Sequence, residues 1–306
     1  MEGVPAPSSA GRRIDVTRLV AAQRRPRHVA IGTFDGVHVG HRQVIDDADT
    51  VLTFDPHPLR VLHPDAEPKL IMPVEIKRDV IEGLGVQELV VIPFDEAFSR
   101  IDAEEFCSRI LVETLGAQQV SVGENFRFGA RAKGDPAMLA SREEFSTRVV
   151  PLVEVDGEAV SSTRIRALVA AGEIEAATRC LGAPFLLQGE VTEGDRRGRE
   201  LGFPTANIVP SDDLVCPGHG VYAAFADGRP AAVNVGVRPM FDTGRGLLVE
   251  AHLIDFDGDL YGRTLRVAFI ARLRGERRFE SVDALIEQMH RDVAEARDLC
   301  ASFTPP

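Results

Sequence analysis

Apolar and polar positions along this chain fall into two different rhythms. In the first half, short continuous apolar runs alternate with segments of helical period. Val29-Ala30-Ile31 opens a buried β-type run near residues 28–33, and the pattern returns at 50–54, 88–94, 119–122 and 149–153. Between these runs the spacing predicts helices. One covers 73–84, with Val74, Ile76, Val80, Ile81 and Leu84 as its apolar set and Gly85 as its stop. Another covers 103–115, with Gly116 as its cap. Residues 14–22 fit either a strand or a short helix, and 1–12 read as a flexible tail. Strands alternating with helices predict a Rossmann-like, doubly wound parallel sheet.

The rhythm changes after Leu181-Gly182-Ala183-Pro184, which places a domain boundary at 184 and divides the chain into 1–184 and 185–306. Short alternating runs follow at 186–191, 220–225, 231–235, 247–254 and 265–270, separated by glycine-containing turns. They predict an antiparallel β-barrel. A last helix, 281–303, has Val282, Leu285, Ile286, Met289, Val293 and Ala296 on its apolar side.

One connection is short. Between the first two strands only residues 43–49 remain for helix, and they end in Asp46-Asp47-Ala48-Asp49. At 1.5 Å per residue such a helix covers roughly 10 Å. A typical strand is about 17–20 Å long. The parallel crossover closes only if loops supply the difference.

Composition narrows the function. A chain of 306 residues has room for two domains and a sizeable core. The net charge of −12 argues against a general nucleic-acid binder but not against a nucleotide substrate, which needs only a local positive field. Lysine occurs only at 69, 77 and 133, so phosphate contacts are expected from arginine, backbone or metal. There is no Gly-x-x-x-x-Gly-Lys-Ser/Thr loop. The four cysteines are scattered and form no Cys-x-x-Cys pair, as expected of a cytoplasmic protein with reduced thiols. No run of about 18 apolar residues is present to cross a membrane.

The chemistry gathers in a few motifs. Gly32-Thr33-Phe34-Asp35-Gly36-Val37-His38-Val39-Gly40-His41 follows the first strand. A strand, a glycine turn and a helix start make an anion site, and His38 and His41 share a face if the helix begins here. The Thr53-Phe54-Asp55-Pro56-His57-Pro58 run ends the second strand, where open α/β sheets bind ligands. Gly123-Glu124-Asn125-Phe126-Arg127-Phe128-Gly129 offers an amide and aromatic faces. Ser161-Ser162-Thr163-Arg164-Ile165-Arg166 opens a helix with hydroxyls and places Thr163 and Arg166 on one face. In the second half, Gly202-Phe203-Pro204-Thr205-Ala206-Asn207 follows the glycine- and arginine-rich run 194–199. Thr205 and Asn207 supply hard oxygens suited to Mg²⁺. Asp255-Phe256-Asp257-Gly258-Asp259 lacks the glycine and glutamate positions of an EF-hand and reads as a hairpin turn.

These motifs, from about residue 28 to 298, resemble the prokaryotic bifunctional riboflavin kinase/FAD synthetases: a HIGH-type nucleotidylyltransferase domain followed by a riboflavin kinase domain. The resemblance implies that the second domain phosphorylates riboflavin from Mg-ATP and that the first adenylylates FMN from a second ATP, giving FAD and pyrophosphate. It implies catalytic roles for Glu250, the base toward the flavin hydroxyl, and for His38, His41 and Arg166. It puts Gly32, Phe34, Asp35, Asn125, Ser162 and Thr163 on one ATP, and Gly202, Pro204, Thr205 and Asn207 on the other, with Mg²⁺ on Thr205 and Asn207. His57, Phe128 and Arg238 would face flavin. The small molecules riboflavin, FMN and ATP are the implied partners; neither nucleic acid nor membrane is among them, and an oligomer is not predicted. Two alternatives stand beside this reading. One is a riboflavin kinase whose nucleotidylyltransferase half is impaired by the short crossover helix. The other is a non-enzymatic binder of flavin nucleotides.

Overall fold

The computed structural model describes residues 14–64, 69–193, 201–237 and 247–303. Arg238 and the run 194–200 lie outside the described residues. Contacts divide the chain into two compact units, Met1–Ser162 and Thr163–Pro306.

The first unit is built on six parallel strands. In chain order its elements are β1 (Asp15–Arg18), β2 (Arg27–Ile31), α1 (Val39–Ile45), β3 (Thr50–Asp55), α2 (Pro58–Leu62), α3 (Val74–Gly83) and β4 (Glu88–Pro93). Then come α4 (Ala103–Glu105), running directly into a π-helix (Phe106–Leu115), followed by β5 (Ala117–Gly123), α5 (Pro136–Ala140), β6 (Ser146–Val150) and a short antiparallel pair, β7 (Glu154–Val155) and β8 (Glu158–Ala159). The strand order is β1-β4-β3-β2-β5-β6, and every pairing is parallel. The chain moves outward from β2 through β3 and β4, then returns to the other side of β2 with β5. The crevice at the C-terminal end of β2 is therefore the switch point where such sheets bind ligands.

The strand residues are continuous apolar runs because both faces of the sheet are covered. Val29, Val51, Leu52, Leu89, Val90 and Val120 are fully buried. Phe106, Cys107, Ile110, Leu111 and Leu115 pack onto one face. Gly116 ends that helix in the left-handed region (φ 69°), as expected, and a Cβ there would meet the Arg25 carbonyl at 2.6 Å. Residues 14–22 are both of the expected alternatives: β1, then a 3₁₀ turn at Leu19–Ala21. The last strand sits three residues earlier than 149–153, because Pro151 has no N–H to continue the ladder.

The crossover does close. α1 has seven residues, and the segments 32–38 and 46–49 supply the rest. β2 is itself only five residues long and pairs in the register Val29↔Thr50, Ala30↔Val51, Ile31↔Leu52. The acidic stretch after α1 is an anchored turn, in which the Asp49 carboxylate accepts from the His28 N–H at 2.9 Å.

The second unit begins with α6 (Ser162–Ala171) and α7 (Ile174–Leu181). α6 stops at Gly172 (φ 78°), and α7 was not expected. Its buried stripe, Ile174, Ala177, Cys180 and Leu181, is short and easily absorbed into the preceding helix pattern. Six antiparallel strands follow: β9 (Phe185–Thr192), β10 (Ala206–Pro210), β11 (Gly220–Ala226), β12 (Arg229–Val237), β13 (Leu247–Leu253) and β14 (Thr264–Arg274). They close a barrel in the order β10-β13-β12-β11-β14-β9. β10 is the strand missing from the sequence-based expectation, hidden by prolines on both sides of a five-residue run. α8 (Val282–Ala301) lays Val293, Ala296 and Leu299 over Ala223, Ala232 and Ile254. Its packed stripe lies toward the C-terminal end of the expected one, and Val282 is exposed.

Candidate functional sites

The first site grows from the turn after β2. Phe34 (φ 48°), Gly36 (φ 89°) and Val37 (φ 41°) all sit in the left-handed region. For a β-branched valine that is a strained conformation, of the kind that costs about 1–3 kcal/mol and clusters at functional sites. Gly32 is needed for close approach, since a Cβ there would stand 3.0 Å from the Phe34 ring. Asp35 is a buried residue of the same turn. It is 1% exposed and its carboxylate accepts from the Ile71 N–H at 3.0 Å and the Met72 N–H at 3.4 Å. It ties the turn to residues 71–72 and is not part of the cavity wall; its carbonyl accepts from Ser162 Oγ at 2.8 Å.

The turn delivers His38 as the N-cap of α1, where its Nδ1 accepts from the His41 N–H at 3.2 Å. That bond fixes the tautomer: a neutral His38 carries its proton on Nε2. The two imidazoles stack with centroids 3.5 Å apart and planes 15° apart, and Phe34 meets His41 edge-on at 5.3 Å. Burial lowers the His38 pKa to about 4. Burial lowers His41 well below the usual imidazole value, helped by the charges of His38 and Lys77. Both rings are therefore neutral near pH 7. The buried Nδ1 of His41 has no hydrogen-bond partner among the described residues.

A cavity of about 680 Å³ opens in front of this pair. Its polar end carries Gly32, Thr33, His38, His41, Asn125 and Ser162. Its apolar end is a chain of phenylalanine rings, Phe54, Phe94, Phe98, Phe106, Phe128 and Phe126, with neighbouring centroids 5.3–6.4 Å apart. Such a wall suits a flat aromatic ring system. His57 also lines it and caps α2 by accepting from the Leu59 N–H at 3.2 Å. Gly32, Phe34, His38, His41, His57, Asn125, Phe128 and Ser162 thus meet in one place. Sequence reasoning missed Phe54, Phe94, Phe98 and Phe106, because isolated phenylalanines read as ordinary core. Thr163 and Arg166 belong to the other compact unit, on the helix that starts at Ser162; Thr163 is exposed and Arg166 half-buried.

The second site lies on the outside of the barrel. In β13, Val249, Ala251 and Leu253 are buried inside, so Glu250 and His252 point outward. Glu250 stands opposite Asn207 of β10 on one side and Asn234 of β12 on the other. These cross-strand pairs form one polar row, and Asn234 Nδ2 lies 3.5 Å from Glu250 Oε2. Asn207 is buried at 9% exposure, while Glu250 and Thr205 are half-buried. Gly202 (φ 89°) and Pro204 are exposed on the approach to β10, and the Pro204 carbonyl is 2.9 Å from His252 Nδ1. Phe203 anchors that approach between the rings of His252 and His290, at 5.5 and 4.9 Å. Asn234 lies in the run 233–239, which also fits the riboflavin kinase resemblance, but the run alone does not single out its side chain.

Comparison with known proteins bears on both sites. A family model for FAD synthetase matches residues 20–164, and one for riboflavin kinase matches 181–300. The bifunctional riboflavin kinase/FMN adenylyltransferase of Pseudomonas fluorescens is 36% identical over 298 residues, covering 90% of this chain and 95% of that protein. This chain belongs to the bifunctional riboflavin kinase/FMN adenylyltransferases. Members from Bacillus subtilis and Escherichia coli K12 are each 35% identical, over 298 and 295 residues. They cover 91% and 90% of this chain, and 94% of each relative is matched. A crystal structure described as a macrolide-efflux protein from Streptococcus pneumoniae has the same fold, with a TM-score of 0.84 and 30% identity. The match covers 93% of this chain and 99% of that one. Among the described residues no helix is long and apolar enough to cross a membrane.

Proposed function

We propose that this chain makes FMN from riboflavin and FAD from FMN, with one ATP consumed in each step. The observation that carries the reading is the pairing of two separate polar sites, each on its own unit and each matched by its own family model. We assign 1–184 to adenylyl transfer and 185–306 to riboflavin phosphorylation. The kinase model's start at 181 and the first barrel strand at Phe185 support that boundary, although contacts alone divide the chain after Ser162.

In adenylyl transfer a phosphate oxygen of FMN attacks the α-phosphorus of ATP. The bond to the β-phosphate breaks and pyrophosphate leaves. No covalent intermediate on the protein is required, so the protein contributes position and charge stabilisation. His38 Nε2–H and His41 donate to the triphosphate as neutral imidazoles. Asn125 and Ser162 hold its polar parts, and the phenylalanine wall with Phe128 and His57 takes the flavin ring; Thr163 and Arg166 are assigned to the triphosphate on the resemblance alone.

In phosphorylation the terminal hydroxyl of riboflavin attacks the γ-phosphorus of ATP and ADP leaves. Glu250 accepts the hydroxyl proton, and Asn234 and Asn207 orient its carboxylate. Thr205 and Asn207 fit Mg²⁺, because they offer neutral hard oxygens and leave the ion's other positions to water and phosphate. Mg²⁺ supplies charge neutralisation on the transferred phosphoryl oxygens. Arg238 is assigned to the flavin on the resemblance alone. We place the protein in the cytoplasm, with its scattered cysteines as support. A transport role gives His38, Asn207 and Glu250 nothing to do.

The by-products test the reading. Riboflavin should elicit ADP from Mg-ATP, and FMN should elicit pyrophosphate. Glu250→Gln should lose the first and keep the second. An ATP turnover that does not depend on flavin would refute both assignments.

A further inference from the structure

The chain uses arginine for nearly all its positive charge, and two of its three lysines, Lys69 and Lys133, are exposed. The third is not. Lys77 sits on α3 at 8% exposure, and its Nζ donates to the Thr33 carbonyl at 2.9 Å. The same carbonyl accepts from Thr53 Oγ1 at 3.1 Å. Thr33 lines the cavity, immediately before the strained turn that delivers His38. Lys77 does not line the cavity itself. An ammonium withdrawn from water is costly unless carboxylates face it. Here Asp35 and Asp55 do, favouring its charged form against the downward pull of burial, while its charge in turn helps hold His41 low.

We propose that Lys77 is a positioning residue for adenylyl transfer: it fixes the Thr33 carbonyl in the loop after β2 and keeps a standing positive charge near His41. The inference rests on the adenylyl-transfer reading above. Its physical content is that the turn and both imidazoles are set before substrate arrives. The Thr33 bond holds the turn's first residue in place. Burial keeps both histidines neutral and the charge adds to this at His41, so they meet the triphosphate as neutral hydrogen-bond donors. It also adds a favourable field for the anionic charge gathered when FMN and ATP are both bound. Asp35, Asp55 and His41 are the titratable groups that face it and enter any pH dependence.

The test uses the full-length chain, whose riboflavin phosphorylation serves as an internal control. Lys77→Met keeps the length of the side chain and removes the charge. FAD formation from FMN should fall about 10²-fold in kcat, with riboflavin phosphorylation unchanged. The His41 titration, followed by NMR, should move up toward the ordinary imidazole value. A merely structural residue would not move that titration. Should Lys77→Met fail to fold, Lys77→Arg decides: it retains the charge and displaces the Thr33 bond, so kcat should fall while the histidine titrations stay put. Wild-type kcat in Lys77→Arg would then overturn the proposal. If wild-type protein makes FAD from FMN and Lys77→Met does so equally well with His41 unmoved, the proposal is overturned by itself. Wild-type protein that makes no FAD from FMN overturns the reading beneath it.

Discussion

At the scale of single residues, the histidine pair makes the sharpest demands. His38 and His41 are stacked and buried, so their protonation is disfavoured by the desolvation of a cation. FAD formation should therefore show no inflection at the ordinary imidazole pKa near 6.5 arising from this pair. It should fall as the pH approaches about 4, where His38 takes up its proton. A pH profile of kcat/KM with FMN as substrate checks this. Stability follows the same sign. The folded pKa lies below the unfolded one, so stability is fully present above pH 6.5 and is lost as the pH falls toward 4. A shift from 6.5 to about 4 corresponds to about 3 kcal/mol from His38. Denaturant unfolding of the first unit across that window measures it. Replacing His38 by alanine should cost FAD formation on the order of 10²–10³-fold and leave riboflavin phosphorylation intact. Separate assays of the two steps on one preparation decide it. Asp35 marks the limit of motif reading: the motif singles out the residue, but only the fold shows its carboxylate accepting from the backbone amides of Ile71 and Met72.

At the scale of elements, the two sites depend on different local devices. The first depends on a turn with positive φ at Phe34 and Val37, which nothing in residue type announces. The second depends on strand register, since one residue of slip would turn Glu250 into the barrel. Gly189 of β9 guards that register, because a Cβ there would meet the Val209 carbonyl of β10 at 2.5 Å. Gly189→Ala should open the β9–β10 seam and destabilise the barrel by about 1–3 kcal/mol. Riboflavin phosphorylation should fall with FAD formation from FMN retained; thermal unfolding and the two assays report this. The short crossover is explained at the same scale. A seven-residue helix is enough because β2 has only five residues and the flanking segments carry the remaining distance. The sequence pattern exposes the helix length but not the length of the strand it must span. β10 and α7 escaped the pattern for a related reason: each is short, and prolines or a neighbouring helix mask its period.

For the molecule as a whole, the two-part architecture was legible because apolar rhythm reports burial on one face or two. The continuous runs of the first half match a sheet covered on both sides, and the alternating runs of the second match a barrel. The motifs point to both candidate sites because glycines, histidines and the Pro-Thr-Ala-Asn string serve local geometry. The phenylalanine wall stayed hidden, since Phe54, Phe94, Phe98 and Phe106 come from separate elements that only the fold assembles. The central claim is that both sites work in one chain. The most direct measurement is chromatography of the flavins formed when the wild-type protein is given Mg-ATP with riboflavin, and separately with FMN. The account predicts FMN followed by FAD from riboflavin, and FAD directly from FMN. FMN from riboflavin with no FAD from either starting flavin would contradict it and leave a kinase beside a silent cavity.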